Sequence, residues 1–202
     1  MNRSVLWQRI RRVWVTLGIG VTVVFVGWSL IAYRASGAAK EALRGDDRVA
    51  VDRGGGLIRF TPAGSPGSVG LLFFPGALVD PAAYAPLARA AAAAGFPAVI
   101  VTMPRRGAFG GAEALELYAR ADSILRDAGA PRGWVVGGHS RGAVVASTLA
   151  ARRPAGLAGL LLLGTSHPRD VDLSFLQVRF ATGRTRGFEE HCRCSMSRWP
   201  GR

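Results

Sequence analysis

Apolar and polar positions alternate along this chain on three different periods. Residues 13–33 (VWVTLGIGVTVVFVGWSLIAY) carry no charge at all. As a helix they would rise about 31 Å, the thickness of a bilayer core. A helix also satisfies its own backbone polar groups in lipid. Residues 34–48 turn polar and read as a linker. From residue 49 the pattern breaks into short apolar runs separated by helical periods. Residues 49–51 and 57–60 are strand candidates joined by the turn-rich DRGGG. Residues 69–74 (VGLLFF) form a continuous apolar run, as expected of a strand covered on both faces. The stretch that follows has Asp80 as a helix N-cap, Pro81 at the first helical position and Gly95 as the stop. Pro86 falls in its early turns, where it disturbs a helix.

The alternation then repeats. FPAVIVTM is a strand, and PRRGAFGG a loop. Residues 112–128 read as a helix with Leu115, Tyr118, Ala119, Ile124 and Leu125 at helical spacing, ended by Gly129. RGWVVGG is a strand, residues 142–153 a helix stopped by Pro154, and residues 157–163 another strand. Four apolar strands alternating with three helices predict an α/β fold. The expected architecture is a doubly wound, mostly parallel sheet with helices on both faces. Ligands in such folds bind beyond the carboxyl ends of the strands. From residue 175 the pattern fails: the last residues show neither period 2 nor period 3.6, and nothing there reads as a final strand. The organisation expected is therefore a basic segment at 1–12, a membrane helix at 13–33, a linker at 34–48, a domain at 49–174 and an irregular tail at 175–202.

Charge refines the membrane reading. Arg3, Arg9, Arg11 and Arg12 precede the apolar span, and Arg34, Lys40 and Arg44 follow it. The basic residues closest to the membrane lie on the amino side, which predicts a cytoplasmic amino terminus and a domain outside the cytoplasmic membrane. The competing reading is a cleaved signal peptide, with small residues at 35–38 offering a cleavage site. Its apolar region would be longer than the usual 7–15 residues. The formal charge of +13 raises the question of nucleic acid. The arginines are scattered and no aromatic residues interleave them, so nucleic-acid binding is not expected. Cys192 and Cys194 with His191 form H-C-x-C, but three crowded groups without a second cluster make no metal site, and no cofactor is implied.

The chemistry centres on Gly138-His139-Ser140-Arg141-Gly142, a G-x-S-x-G pentapeptide. An apolar strand runs into it and an apolar helix runs out, the context of a nucleophile elbow. Gly138 and Gly142 fit because side chains two residues either side of the serine would collide in so tight a turn. A phosphate loop is excluded by the absence of G-K-[S/T]. A dinucleotide fingerprint aligned on Gly137 and Gly142 would place His139 at its middle glycine. A purely structural glycine turn is the remaining alternative.

With these motifs the chain resembles the α/β-hydrolases, and is similar to small membrane-anchored bacterial members related to dienelactone hydrolases. The resemblance rests on LLFFPGALVDPAAYAPLARA, GFPAVIVTMPRRGAFGG, WVVGGHSRGA and GLAGLLLLGTSHP, across residues 69–168. It implies Ser140 as the nucleophile of an acyl transfer to water on a small ester-like substrate. It implies the N–H groups of Arg141 and Ala77 as the oxyanion hole. Pro75-Gly76 stands where many relatives carry His-Gly, and Arg141 where many carry Leu or Met, so its side chain is expected at the pocket. Arg105 and Arg106 occupy a loop that often holds Arg-Gly; they either favour an anionic substrate or form a solvated face.

A serine nucleophile needs a histidine base and an orienting carboxylate, in the chain order serine, acid, histidine. Ser140, Asp172 and His191 keep that order, but no convincing strand and helix separate Asp172 from His191. His167 lies just past a strand end, at the correct sheet edge for a substitute base. Asp170 is a further carboxylate nearby. His139 is locked in the elbow and points away from its neighbour's hydroxyl. The irregular tail suggests a hydrolase domain that is incomplete at its carboxyl end, with a frameshift near residue 175. The alternative function is then a non-catalytic membrane-anchored binding protein or an inactive fragment.

Overall fold

A computed structural model describes residues 3–127, 131–152, 154–164, 171–176 and 178–181. Of the sequence-derived candidates, His167, Asp170, His191, Cys192 and Cys194 lie outside these described residues. The elements are α1 (Arg3–Ala32), α2 (Gly37–Glu41), β1 (Val49–Gly54), β2 (Leu57–Pro62), β3 (Val69–Phe74), α3 (Ala85–Ala93), β4 (Ala98–Val101), α4 (Leu115–Leu125), β5 (Gly133–His139), α5 (Arg141–Ala151), β6 (Leu157–Leu163) and β7 (Val178–Ala181).

Among the described residues, seven strands form one sheet in the order β1-β2-β4-β3-β5-β6-β7. The β1–β2 and β2–β4 pairs are antiparallel, and the pairs from β4 through β7 are all parallel. The expected α/β architecture is therefore present, with an antiparallel hairpin at one end. The apolar runs fill two faces. On β3, Leu72 and Phe74 join Val99, Val101 and Val136 under α4 and α5. Leu71 and Phe73 alternate to the other face and join Ile58, Phe60 and Ile100 under α3. Covering both faces explains why these strands read as unbroken apolar runs rather than alternating ones. The helices meet the sheet through small residues: Ala85, Ala88 and Ala92 on α3, and Ala143, Ala146 and Ala150 on α5 are all buried.

Several boundaries differ from the sequence reading. Pro86 does interrupt its helix: Pro81–Tyr84 forms a 3₁₀ turn capped by Asp80, and α3 starts anew at Ala85. The helix expected from residue 112 begins only at Leu115, after an extended Ala114. The tail read as irregular contains β7, paired in parallel with β6 from Leu160↔Val178 to Leu163↔Ala181. Four residues are too few for a period to register in the sequence; the strand exists through its non-local pairing. Residues 34–48 are also structured. They carry α2, whose N-cap Ser36 accepts a hydrogen bond from Ala39 N–H at 3.2 Å.

Among the described residues, one helix is long and apolar enough to cross a membrane: Trp7–Ala32, with mean hydropathy 2.1. Only 6% of its most apolar window is buried against the rest of the chain.

Candidate functional site

The parallel strands β3, β4 and β5 all end at one edge of the sheet, so the loops at 75–80 and 102–114 and the turn at Ser140 gather there. Ser140 has φ 50° and ψ −115°. This is a sparsely populated backbone region for a residue with a Cβ, and holding it costs about 1–3 kcal/mol. It persists because both flanks are fixed. His139 ends β5 in register with Leu163 of β6, and Ser140 N–H donates to the Leu163 carbonyl at 3.0 Å. On the other side α5 begins at once.

Gly138 and Gly142 are demanded by close approach. A Cβ on Gly138 would lie 2.2 Å from the Gly142 carbonyl oxygen. A Cβ on Gly142 would lie 2.1 Å from the carbonyl oxygen of Phe74 and 2.2 Å from that of Pro75. The start of α5 thus presses on the end of β3, which brings the loop carrying Ala77 beside the serine turn. Arg141 is the first residue of α5. Its N–H belongs to the helix's first turn, where amides lack an intrahelical acceptor and carry the positive end of the helix dipole.

The loop after β3 is held from two directions. Leu78, at φ 63°, donates its N–H to the Arg106 carbonyl at 2.8 Å, and the Arg106 guanidinium returns a bond to the Leu78 carbonyl at 3.4 Å. Arg105 and Arg106 themselves sit at φ 49° and 50°. Arg106 therefore braces the 75–80 loop, while the Arg105 side chain is exposed. From the other side Tyr84 Oη accepts Gly76 N–H at 3.0 Å and lies 2.8 Å from His139 Nδ1. The tyrosine hydroxyl thus links the Gly76 amide to the His139 ring. Nε2 lies against Gly164, where a Cβ would come within 3.0 Å. Burial holds His139 below the ordinary histidine value and pushes Tyr84 above the ordinary tyrosine value. Burial thus favours the neutral form of His139, whose Nδ1 is engaged with Tyr84.

The Arg141 side chain pairs with Glu113 at the exposed rim, and Asp172 Oδ1 accepts Ser174 N–H at 3.0 Å in the connection between β6 and β7. Tyr84, Glu113 and the Leu78–Arg106 pair escape sequence reading because each acts across loops distant in the chain. Among the described residues no three His, Cys, Asp or Glu side chains gather as a metal site. A cleft of ≈ 480 Å³ lined by Arg59, Pro66, Pro97, Arg132 and Trp134 lies at the opposite, amino edge of β3 and β5, away from Ser140.

A family model described as "Alpha/beta hydrolase family" matches residues 70–182, more than half of the chain. No curated protein matches the chain. Among solved structures, a crystal structure of DphMB1 is 27% identical, with a TM-score of 0.44 over 57% of this chain and 44% of that one. A hyperthermophilic esterase from the archaeon Pyrobaculum calidifontis is 19% identical, with a TM-score of 0.48 over 71% of this chain and 52% of that one. A bacterial heroin esterase is 22% identical, with a TM-score of 0.43 over 62% of this chain and 47% of that one. The chain spans about half the length of these structures.

Proposed function

Because this chain belongs to the α/β-hydrolase family, we propose that it is a membrane-anchored serine hydrolase acting on an ester-like carbonyl through Ser140. One observation carries the reading. Ser140 occupies a strained backbone conformation, φ 50° and ψ −115°, between two glycines that no other residue type fits. A structural turn at this place would take glycine at Ser140 too, since glycine adopts positive φ without cost. Keeping a serine there implies a use for its hydroxyl.

The reaction follows from that placement. Ser140 Oγ attacks the carbonyl carbon and gives its proton to a base. The tetrahedral oxyanion receives the N–H groups of Arg141 and Ala77. Expulsion of the alcohol, which takes up the proton, leaves an acyl-serine. Water then attacks the acyl carbon, releasing the carboxylic acid and restoring Ser140. His139 is unsuited as the base, since its Nδ1 faces Tyr84. The base is assigned to His191 or His167 and the orienting carboxylate to Asp172. The apolar helix is the anchor, spanning the membrane with the amino terminus in the cytoplasm and the domain outside it, in keeping with Arg9, Arg11 and Arg12 on its amino side.

A fluorophosphonate probe tests the chemistry on the full chain in detergent. Wild type labels, and Ser140→Ala does not. Labelling that persists in Ser140→Ala removes Ser140 from the mechanism. Absence of labelling in folded wild type favours a non-catalytic, membrane-anchored binding protein.

A further inference from the structure

Residues 33–46 fasten the end of the apolar helix to the rim of the candidate site. The Tyr33 carbonyl accepts Asp80 N–H at 3.0 Å. Asp80 Oδ2 accepts Ala35 N–H at 3.4 Å, while its Oδ1 caps the 3₁₀ turn through Ala82 N–H at 3.0 Å. Ala35, Ala39 and Ala82 are buried together, with Leu43 packed against them. Further on, Arg89 of α3 donates to the carbonyls of Ala42 at 3.3 Å and Arg44 at 2.5 Å, and pairs with Asp46. Asp80 closes the same loop that carries Ala77. The helix therefore leaves the domain at the carboxyl edge of the sheet, where Ser140 lies, and not at the opposite edge.

The helix also leaves that edge outward. Ser29 in its last turns is buried, yet Trp7, Trp14, Val23, Val24 and Trp28 are all exposed. A helix that projects from the domain and crosses a bilayer brings its exit point, and the surface around it, to the headgroup region. That surface carries two large apolar side chains with no protein cover. Phe109, on the connection after β4, is 67% exposed, and Leu115, the first residue of α4, is 84% exposed. Arg106 ties this connection to Leu78, two residues before Asp80. Exposed cations lie on the neighbouring segments: Arg105 in the loop before Phe109, and Arg34 and Lys40 between the helix and the domain, while Arg141 is paired with Glu113. Exposed apolar side chains with cations on the adjoining segments suit the boundary between acyl chains and anionic headgroups.

From this arrangement we infer that the carboxyl edge of the sheet faces the bilayer, with Phe109 and Leu115 seated in the headgroup boundary. The substrate class is then an ester whose acyl chain resides in the membrane, presented to Ser140 at the lipid surface. The inference rests on the membrane-anchored serine hydrolase reading and deepens it. An acyl chain in the bilayer is held at about 0.8 kcal/mol per buried CH₂. An ester of that kind is concentrated at this edge, and a freely dissolved one is not.

The test uses the full chain in nanodiscs of phosphatidylethanolamine and phosphatidylglycerol. Cys192 and Cys194 are replaced by serine, and single cysteines carrying an environment-sensitive fluorophore are placed at Val23, Ser65, Phe109 or Leu115. Ser65 lies on the β2–β3 connection at the opposite edge and is exposed. Lipids with a shallow nitroxide should quench labels at 109 and 115 but not at 65, and a deep nitroxide should quench the label at 23. If 23 is quenched while 109 and 115 behave like 65, the orientation is overturned and the anchor stands. If 23 is not quenched, the anchor itself fails, and the inference with it. For the substrate, a long-chain alkyl fluorophosphonate dissolved in the nanodisc should label Ser140 about tenfold faster than a short water-soluble one, given acyl partitioning. Equal rates overturn the lipid-ester assignment. Labelling by neither overturns the hydrolase reading, while the quenching still decides the orientation.

Discussion

Ser140 holds a conformation that any residue with a Cβ resists, so its side chain and its backbone can be tested apart. Ser140→Ala removes the hydroxyl and keeps the strain. Ser140→Gly removes both, because glycine adopts φ 50° freely. If about 1 kcal/mol of strain is released, the melting temperature of Ser140→Gly should rise by about 2–4 °C over wild type. Ser140→Ala should stay near wild type, and neither should label with fluorophosphonate. Thermal unfolding in one detergent checks this; an unchanged or lower value for Ser140→Gly would show that the turn is not strained. His139 offers a second residue-scale outcome. Burial depresses its folded pKa below the unfolded value near 6.5. The unfolded chain then binds more protons in the window just below 6.5, so stability rises with pH there. This contribution is fully present above the unfolded value and is lost as pH falls through the depressed folded one. Melting temperatures measured from pH 8 down to pH 5 should show a fall that His139→Gln reduces. The elbow glycines and Ser140 were legible in the sequence because the motif is local. The Tyr84 bridge to Gly76 and His139 was not, because residues far apart in the chain meet only after β3 and β5 pair.

Asp80 shows how much one element's start can carry. Its capping of the turn at Pro81 was readable from residue type and position, since a short acidic side chain before proline marks a helix start. Its second oxygen, turned to Ala35, was not readable, for that bond depends on where α2 packs. Asp80→Ala should destabilise the domain by about 1–2 kcal/mol, the range of a lost cap. Asp80→Asn keeps one acceptor and should recover part of that. Urea unfolding in detergent measures both. Limited proteolysis adds the local readout: Asp80→Ala should be cut faster within residues 34–48 than wild type, and an equal rate would mean that the bracket is held elsewhere. The same contrast explains which elements the sequence revealed. The inner strands β3 and β4 are buried on both faces, β5 nearly so, and β6 on the face of Leu160 and Leu162, and their apolar runs are continuous. The five-residue α2 and the four-residue β7 are shorter than any usable period, and each takes its shape from what it pairs with or packs on.

At the scale of the whole molecule, the sheet domain and the apolar helix bury their surfaces differently. The core clusters of the sheet contain residues of the domain and of the bracket but none of α1. The helix presents its apolar surface outward, and under the proposed anchoring that surface is covered by lipid. The domain's stability should therefore be nearly independent of the helix, while its solubility depends on it. A chain beginning at Tyr33 keeps the carbonyl that Asp80 N–H uses and loses only the contacts of Ser29 and its neighbours. Its melting temperature should fall within about 4 °C of the full chain, a difference of roughly 1 kcal/mol for a domain of this size. It should also leave membranes without detergent, whereas the full chain should resist alkaline carbonate and need detergent to extract. The two readouts separate the explanations. A shortened chain that is soluble and stable shows that the apolar helix serves the membrane and not the fold. One that loses most of its stability shows that α1 supports the domain, which its exposed length argues against. The formal charge of +13 does not alter this expectation. Charge governs partners and solubility rather than fold, and part of it brackets an apolar span.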